Sequence, residues 1–155
     1  NRKWNLQLGG TVQNAKYDEA EEIWKSEDGT DVVATKNMLR TPNVYGYYTL
    51  SYNPIKPLTL SMSGVYTGKM DVKHLVDPET ERTVIKRVPD FFENNIKVAY
   101  DFDFKDNCIQ VYTGIQNMFN AYQKDFDRGA LRDAGYIYGP ARPQTFFFGA
   151  KYTLN

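Results

Sequence analysis

From Ile96 to Phe104 the chain alternates, with Ile96, Val98, Tyr100, Phe102 and Phe104 set against Asn95, Lys97, Ala99, Asp101 and Asp103. A period of two is the side-chain period of a β-strand. The same pattern recurs in five other segments. The first, about 3–16, sets Trp4, Leu6, Leu8, Gly10 and Val12 against Asn5, Gln7, Gly9, Thr11 and Gln13. The second, 44–52, alternates less cleanly because Tyr45, Tyr47 and Tyr48 put phenol rings on both faces. The third opposes Leu58, Leu60, Met62, Gly64 and Tyr66 to Thr59, Ser61, Ser63, Val65 and Thr67, and the fifth opposes Ile109, Val111, Thr113 and Ile115 to Gln110, Tyr112, Gly114 and Gln116. The last sets Phe146, Phe148, Ala150, Tyr152 and Leu154 against Thr145, Phe147, Gly149, Lys151 and Thr153, with Phe147 breaking the pattern.

The connections are of two kinds. Segments 53–57 and 105–107 are tight turns, the former broken by Pro54 and Pro57, which have no amide to donate. Segments 18–43, 70–92 and 118–143 are long, and the first of them is expected to carry short helical or strand extensions. Consecutive antiparallel strands place all three long loops at one end and both tight turns at the other. The fold class expected is all-β, an antiparallel meander of about six strands. Short turns at one end, long loops at the other and strands near ten residues long are features of outer-membrane β-barrels.

Alternation alone does not say which face is wet. A soluble sandwich turns its apolar face inward, and a membrane barrel turns it outward. The polar faces here are mostly Asn, Gln, Ser, Thr and Gly, whereas a solvated sheet face is usually rich in Lys and Glu. Of the 38 charged residues, 29 fall in segments 16–43, 69–93 and 118–142. Such a distribution fits loops in water and strands lining a polar lumen. The mean hydropathy is negative, and no run approaches the ~18 apolar residues of a spanning helix. Twelve tyrosines and nine phenylalanines suit strands and also the aromatic girdles of a membrane barrel. Lysine plus arginine balances aspartate plus glutamate at 19 each, so net charge points to no nucleic-acid partner. The stretch from Asn1 to Gly10 already reads as strand, so export information for such a protein is expected upstream.

The end of the chain adds motifs. Gly114-Ile115-Gln116-Asn117-Met118-Phe119-Asn120-Ala121-Tyr122 is followed by Tyr136-Ile137-Tyr138-Gly139-Pro140, by Arg142-Pro143 and by Thr145-Phe146-Phe147-Phe148-Gly149-Ala150-Lys151-Tyr152. In order and spacing this resembles the C-terminal end of a TonB-dependent outer-membrane receptor. In that family the penultimate strand ends in an Asn-Leu-Phe-Asn-like motif and the final strand follows a Pro-Arg-like pair. Arg40-Thr41-Pro42 leading into Val44, and Tyr66-Thr67-Gly68, are similar to the family more loosely. The ending Tyr152-Thr153-Leu154-Asn155 departs from it, because the family's final residue is usually aromatic.

The resemblance implies that residues 1–155 are the C-terminal segment of a 22-stranded transmembrane β-barrel, with the plug domain upstream of this piece. The implied function is outer-membrane uptake of a scarce ligand, whether iron-siderophore, haem, cobalamin or oligosaccharide, energised through TonB. Partners implied are outer-membrane lipid, the remainder of the barrel and plug, TonB through the N-terminal part, and the small-molecule ligand. A soluble all-β binding module, such as a carbohydrate-binding domain, is the alternative.

No convergent catalytic set, metal set or cofactor motif stands out, so no enzyme is expected. His74, the single histidine, sits among Asp71, Lys73 and Asp77 without partners at ligand spacing and reads as an exposed loop residue. Asp101, Asp103 and Asp106 lack the glycine and closing glutamate of a calcium loop. Cys108, the only cysteine, has no evident catalytic histidine and no disulfide partner. Asn117 and Asn120 suit turn chemistry. The ligand-binding candidates are Asp125, Asp127, Arg128, Arg132, Tyr136 and Tyr138, with Phe126 and Asp133 interleaved, because aromatic rings and arginines on loops make good binding anchors.

Overall fold

The computed structural model describes residues 3–154. Ten strands form: β1 (Trp4–Val12), β2 (Lys16–Lys25), β3 (Val32–Asn37), β4 (Val44–Tyr52), β5 (Leu58–Thr67), β6 (Met70–Asp77), β7 (Arg82–Val88), β8 (Phe91–Phe104), β9 (Asn107–Gln116) and β10 (Thr145–Leu154). Six of them make one antiparallel sheet in the order β1-β4-β5-β8-β9-β10, and β2-β3 and β6-β7 are separate two-stranded hairpins. Among the described residues there is no helix and no parallel pair.

The six alternating segments are the six strands of the large sheet, joined as a meander. The count of about six strands is corrected to ten, because the first two long loops are themselves hairpins. Residues of β2 are exposed on both sides over most of its length, so no buried face imposes an alternation on them. The first strand stops at Val12, short of the Lys16 expected, since Lys16 already pairs with Asn37 of β3. Conversely β8 begins at Phe91, where it pairs with Thr67, and runs for 14 residues.

Register carries the face assignment across the whole sheet. One row joins Leu6, Leu50, Met62, Ile96, Ile115 and Phe146, and the next joins Leu60, Val98, Thr113 and Phe148. On the other face Gln7, Thr49, Ser63 and Asn95 share a row, as do Asp101, Gln110 and Lys151. Leu6, Leu60, Ile96, Val98, Ile109, Val111, Phe146 and Phe148 therefore lie on one face, and Gln7, Ser61, Lys97, Gln110 and Lys151 on the other, as the alternation requires.

Phe147, which interrupts the pattern, has its place on the polar face. Its ring lies over Gly114, directly across the pair, where a Cβ would come within 2.6 Å of the ring and 2.2 Å of the Ile96 carbonyl oxygen. Tyr112 lies over Gly149 in the same manner, and Lys97 Nζ sits 4.5 Å from the Tyr112 ring. Gly114→Ala is expected to destabilise the β8-β9-β10 region by about 1–3 kcal/mol, because the added methyl meets backbone that cannot swing away. Urea unfolding compared with Gly10→Ala, where a Cβ meets nothing closer than 3.7 Å, checks this.

The apolar face has a vertical order. At the tight-turn end Trp4 stacks on Tyr52 at 3.8 Å and Tyr100 leans on Phe102 at 4.8 Å. Towards the long-loop end Tyr48, Phe92 and Phe119 form a second aromatic group, with centroids 6.4 and 6.0 Å apart. Leu6, Leu50, Met62, Ile96 and Val98 lie between. Phe92 to Phe102 on β8 spans about 33 Å along the strand at ~3.3 Å per residue.

Candidate functional site

The buried core of this chain is above the sheet. Val72 of β6, Val88 of β7, Phe91 at the start of β8, and Tyr136 and Tyr138 from the third long loop pack together, with Met70 and Ala121 against them. Alternation in β6 and β7 sends Val72 and Val88 to the loop side, and Phe91 caps the cluster from the sheet.

The third loop, between β9 and β10, is shaped by its asparagines. Asn117 and Asn120 adopt positive φ of 48° and 50°, a region Asn tolerates better than most residues. Asn117 is buried, and its amide donates to the carbonyls of Ala121 and Arg142 at 2.9 and 2.8 Å while accepting the Ala121 N–H at 2.9 Å. Both asparagines therefore serve the turn. Gly139 has φ 81° and lies under the Phe91 ring, where any Cβ would collide. Buried Gln123 then ties the two limbs of the loop, donating to Tyr136 O at 3.1 Å and accepting Tyr138 N–H at 3.0 Å.

Four of the six candidate residues come together, and they are bonded internally. Asp125 accepts from Lys86 Nζ at 2.5 Å, from the Tyr136 hydroxyl at 2.8 Å and from the Tyr138 hydroxyl. Burial pushes its carboxyl up, but Lys86 and the two tyrosines outweigh this and hold it well below the usual carboxylate range. Burial, reinforced by the Asp125 carboxylate, pushes the Tyr136 hydroxyl up to about 12 and raises that of Tyr138 as well. Asp127 accepts from His74 Nε2, with contacts of 2.9 and 3.0 Å to its two oxygens, and from Asp133 N–H at 3.2 Å; the His74 bond holds its carboxyl below the ordinary value. Asp133 in turn accepts Leu75 N–H at 2.9 Å. Arg128 and Arg132 are exposed, and Arg132 donates to Gly129 O at 3.3 Å.

The reading of His74 as an exposed loop residue is corrected. Its side chain is only 15% exposed, and its ring stacks on Tyr136 at 3.8 Å. Sequence reasoning also passed over Lys86 and Gln123, and took Arg40 only as part of the Arg40-Thr41-Pro42 stretch. Arg40, at φ 56°, donates to Ile137 O at 2.9 Å and to Gly135 O, while its N–H donates to Asp71 O at 2.8 Å. One arginine thus fastens the first, second and third loops together. Asp101 accepts from Gln110 at 2.7 Å, and no group of three potential metal ligands converges among the described residues.

This knot has a predictable pH window. Asp125 has a folded pKa below its unfolded value, so its contribution is present above about pH 4 and is lost as pH falls further. Tyr136 has a folded pKa above its unfolded value, so its contribution is present below about pH 10 and is lost as pH rises towards 12. Near-ultraviolet circular dichroism of the tyrosines should stay flat between these limits and decline at both ends. A decline already complete at pH 6 would contradict the assignment.

Comparison with protein-family models, with curated proteins and with solved structures returns no match for this chain.

Proposed function

We propose that the chain is the C-terminal six-strand wall of a TonB-dependent outer-membrane receptor, acting in binding and translocation of a scarce ligand and catalysing nothing. The observation that carries this reading is the bare apolar face. Leu6 is 60% exposed, Val111 47% and Phe148 89%. Monomeric soluble proteins rarely leave apolar patches of that extent in water. Two aromatic groups bound that face about 33 Å apart along β8, and with the ~40° strand tilt of the proposed barrel this would be about 25 Å, the height of a lipid-facing band. The opposite face is polar, and the hairpins and long loop gather at one end.

The open edges point the same way. β1 and β10 each have one unpaired edge, and exposure of apolar residues is greatest there, with Leu8 at 70% and Leu154 at 74%. Bare edges invite further strands. In the proposed barrel β1 continues into the preceding strand and β10 closes on the first. The motif resemblance from Gly114 to Tyr152 supports this family, and the Asn117 and Asn120 geometry gives the Asn-x-Phe-Asn-like stretch a structural role in turning the chain into the third loop.

The soluble alternative needs a second sheet over the apolar face, and none of the described strands lies there. Fractionation of cells expressing the parent protein tests the choice. The receptor reading expects recovery with the outer membrane and migration in gels that changes on heating; recovery as a dispersed soluble protein would overturn it.

A further inference from the structure

The β2-β3 and β6-β7 hairpins meet at their tips, at the end of the molecule opposite the tight turns. Trp24 Nε1 donates to Thr80 O across the gap at 3.3 Å. Arg82 reaches from β7 to within 3.6 Å of Asp31, with its guanidinium 6.0 Å from the Trp24 ring. Between the hairpins lies an open cleft of about 600 Å³, within the ~300–1,000 Å³ range of small-molecule sites. Nothing in the tyrosine–aspartate knot uses it.

We propose that this cleft binds a neutral oligosaccharide. A sugar presents an apolar C–H face and a rim of hydroxyls, each both donor and acceptor. The cleft offers a matching set: the Trp24 indole as a flat apolar wall, Glu27 and Glu79 as acceptors, and Lys25 and Arg82 as donors. Charge narrows the class further. The lining holds four carboxylates, Glu27, Asp28, Asp31 and Glu79, against the two cations Lys25 and Arg82. That excess repels anionic ligands such as phosphates, carboxylates and catecholate complexes. Asp28 is already committed, accepting from Ser26 at 2.6 Å and from Thr30 at 2.9 Å, and the Ser26 bond holds its carboxyl below the usual range. It shapes the β2-β3 turn and leaves Glu27 and Glu79 for the ligand. The carboxylates do not form a metal-ligating group among the described residues.

The cleft's role as the receptor's ligand site rests on the outer-membrane reading, while sugar binding itself does not. The test is calorimetric titration of the purified full-length protein with glucan, xylan, mannan and chitin oligosaccharides, alongside citrate and a ferric catecholate complex. At least one neutral oligosaccharide should bind, and Trp24→Ala and Glu79→Gln should each weaken it by roughly tenfold or more. Leu131→Ala, an exposed residue on the third loop, should leave it unchanged. Trp24→Phe keeps a ring in place and should recover part of the loss, which separates stacking from loosening of the hairpins. Absence of sugar binding, tighter binding of the anions, or binding indifferent to Trp24 and Glu79 would overturn the proposal. Each outcome is read independently of whether the protein fractionates with the outer membrane, so the two readings fail separately.

Discussion

Replacing Val98 by arginine is expected to impair assembly of the proposed barrel by about 2–4 kcal/mol, and replacing Val111, which pairs with Tyr100 of the tight-turn aromatic group, by less. Both side chains lie on the apolar face near the middle of their strands, at 37% and 47% exposure. In the proposed setting that exposure is to hydrocarbon, where a guanidinium must snorkel or thin the bilayer around it. Gln110→Arg, one residue from Val111 but on the other face, should be tolerated far better. Its row neighbours are Asp101, which it already contacts at 2.7 Å, and Lys151. An arginine there has one attractive and one repulsive neighbour and keeps access to water. Assembly can be scored as heat-modifiable migration of extracted outer membranes. Equal tolerance on both faces would reject the membrane assignment, and the reverse pattern would mean that the apolar face is the lumen.

The large sheet was legible because each of its strands has two environments. Ile96, Val98 and Tyr100 alternate with Lys97, Ala99 and Asp101, and with a period of two the register has no freedom to slip by one without exchanging every side chain. The β2-β3 hairpin was legible only as the short helical or strand extensions expected in the first loop, for the converse reason. In β2, Asp18, Glu19, Glu21 and Glu22 are all exposed, so propensity and burial give no alternation to read. Pairing there follows from the turn at Ser26–Asp31, where Asp28 collects the Ser26 and Thr30 hydroxyls, and from the neighbouring hairpin. At the candidate site, sequence singled out the third loop's tyrosines and aspartates but not their partners. His74 is 53 residues from Asp127 and Lys86 is 39 from Asp125, and no spacing rule connects such pairs. Only the packing of Tyr136 and Tyr138 onto Val72 and Val88 brings them together.

Tyr136→Ala is expected to open the loop cluster while leaving the six-stranded sheet paired. Tyr136 is 1% exposed and touches four other members of the knot. Its ring stacks on His74, meets Tyr138 edge-on at 5.4 Å and lies 5.0 Å from Lys86 Nζ, and its hydroxyl holds Asp125. Truncation of a buried aromatic side chain costs about 3–5 kcal/mol, which exceeds what a satellite core of five buried residues and two partly buried ones can absorb without local unfolding. Tyr136→Phe keeps the ring and removes one hydrogen bond to a charged acceptor, for a loss of about 1.5–3 kcal/mol. Phe126→Ala, on a side chain 48% exposed in the same loop, should have little effect. Hydrogen exchange resolves the three. In Tyr136→Ala, amides of β6, β7 and residues 117–144 should lose protection together while those of β5, β8 and β9 keep theirs. The coupled loss is the informative part, because Arg40, Asp125 and Asp127 each bridge different segments and would otherwise release them one at a time. If Tyr136→Ala exchanges like Phe126→Ala, the tyrosine is not what holds the loops as one body.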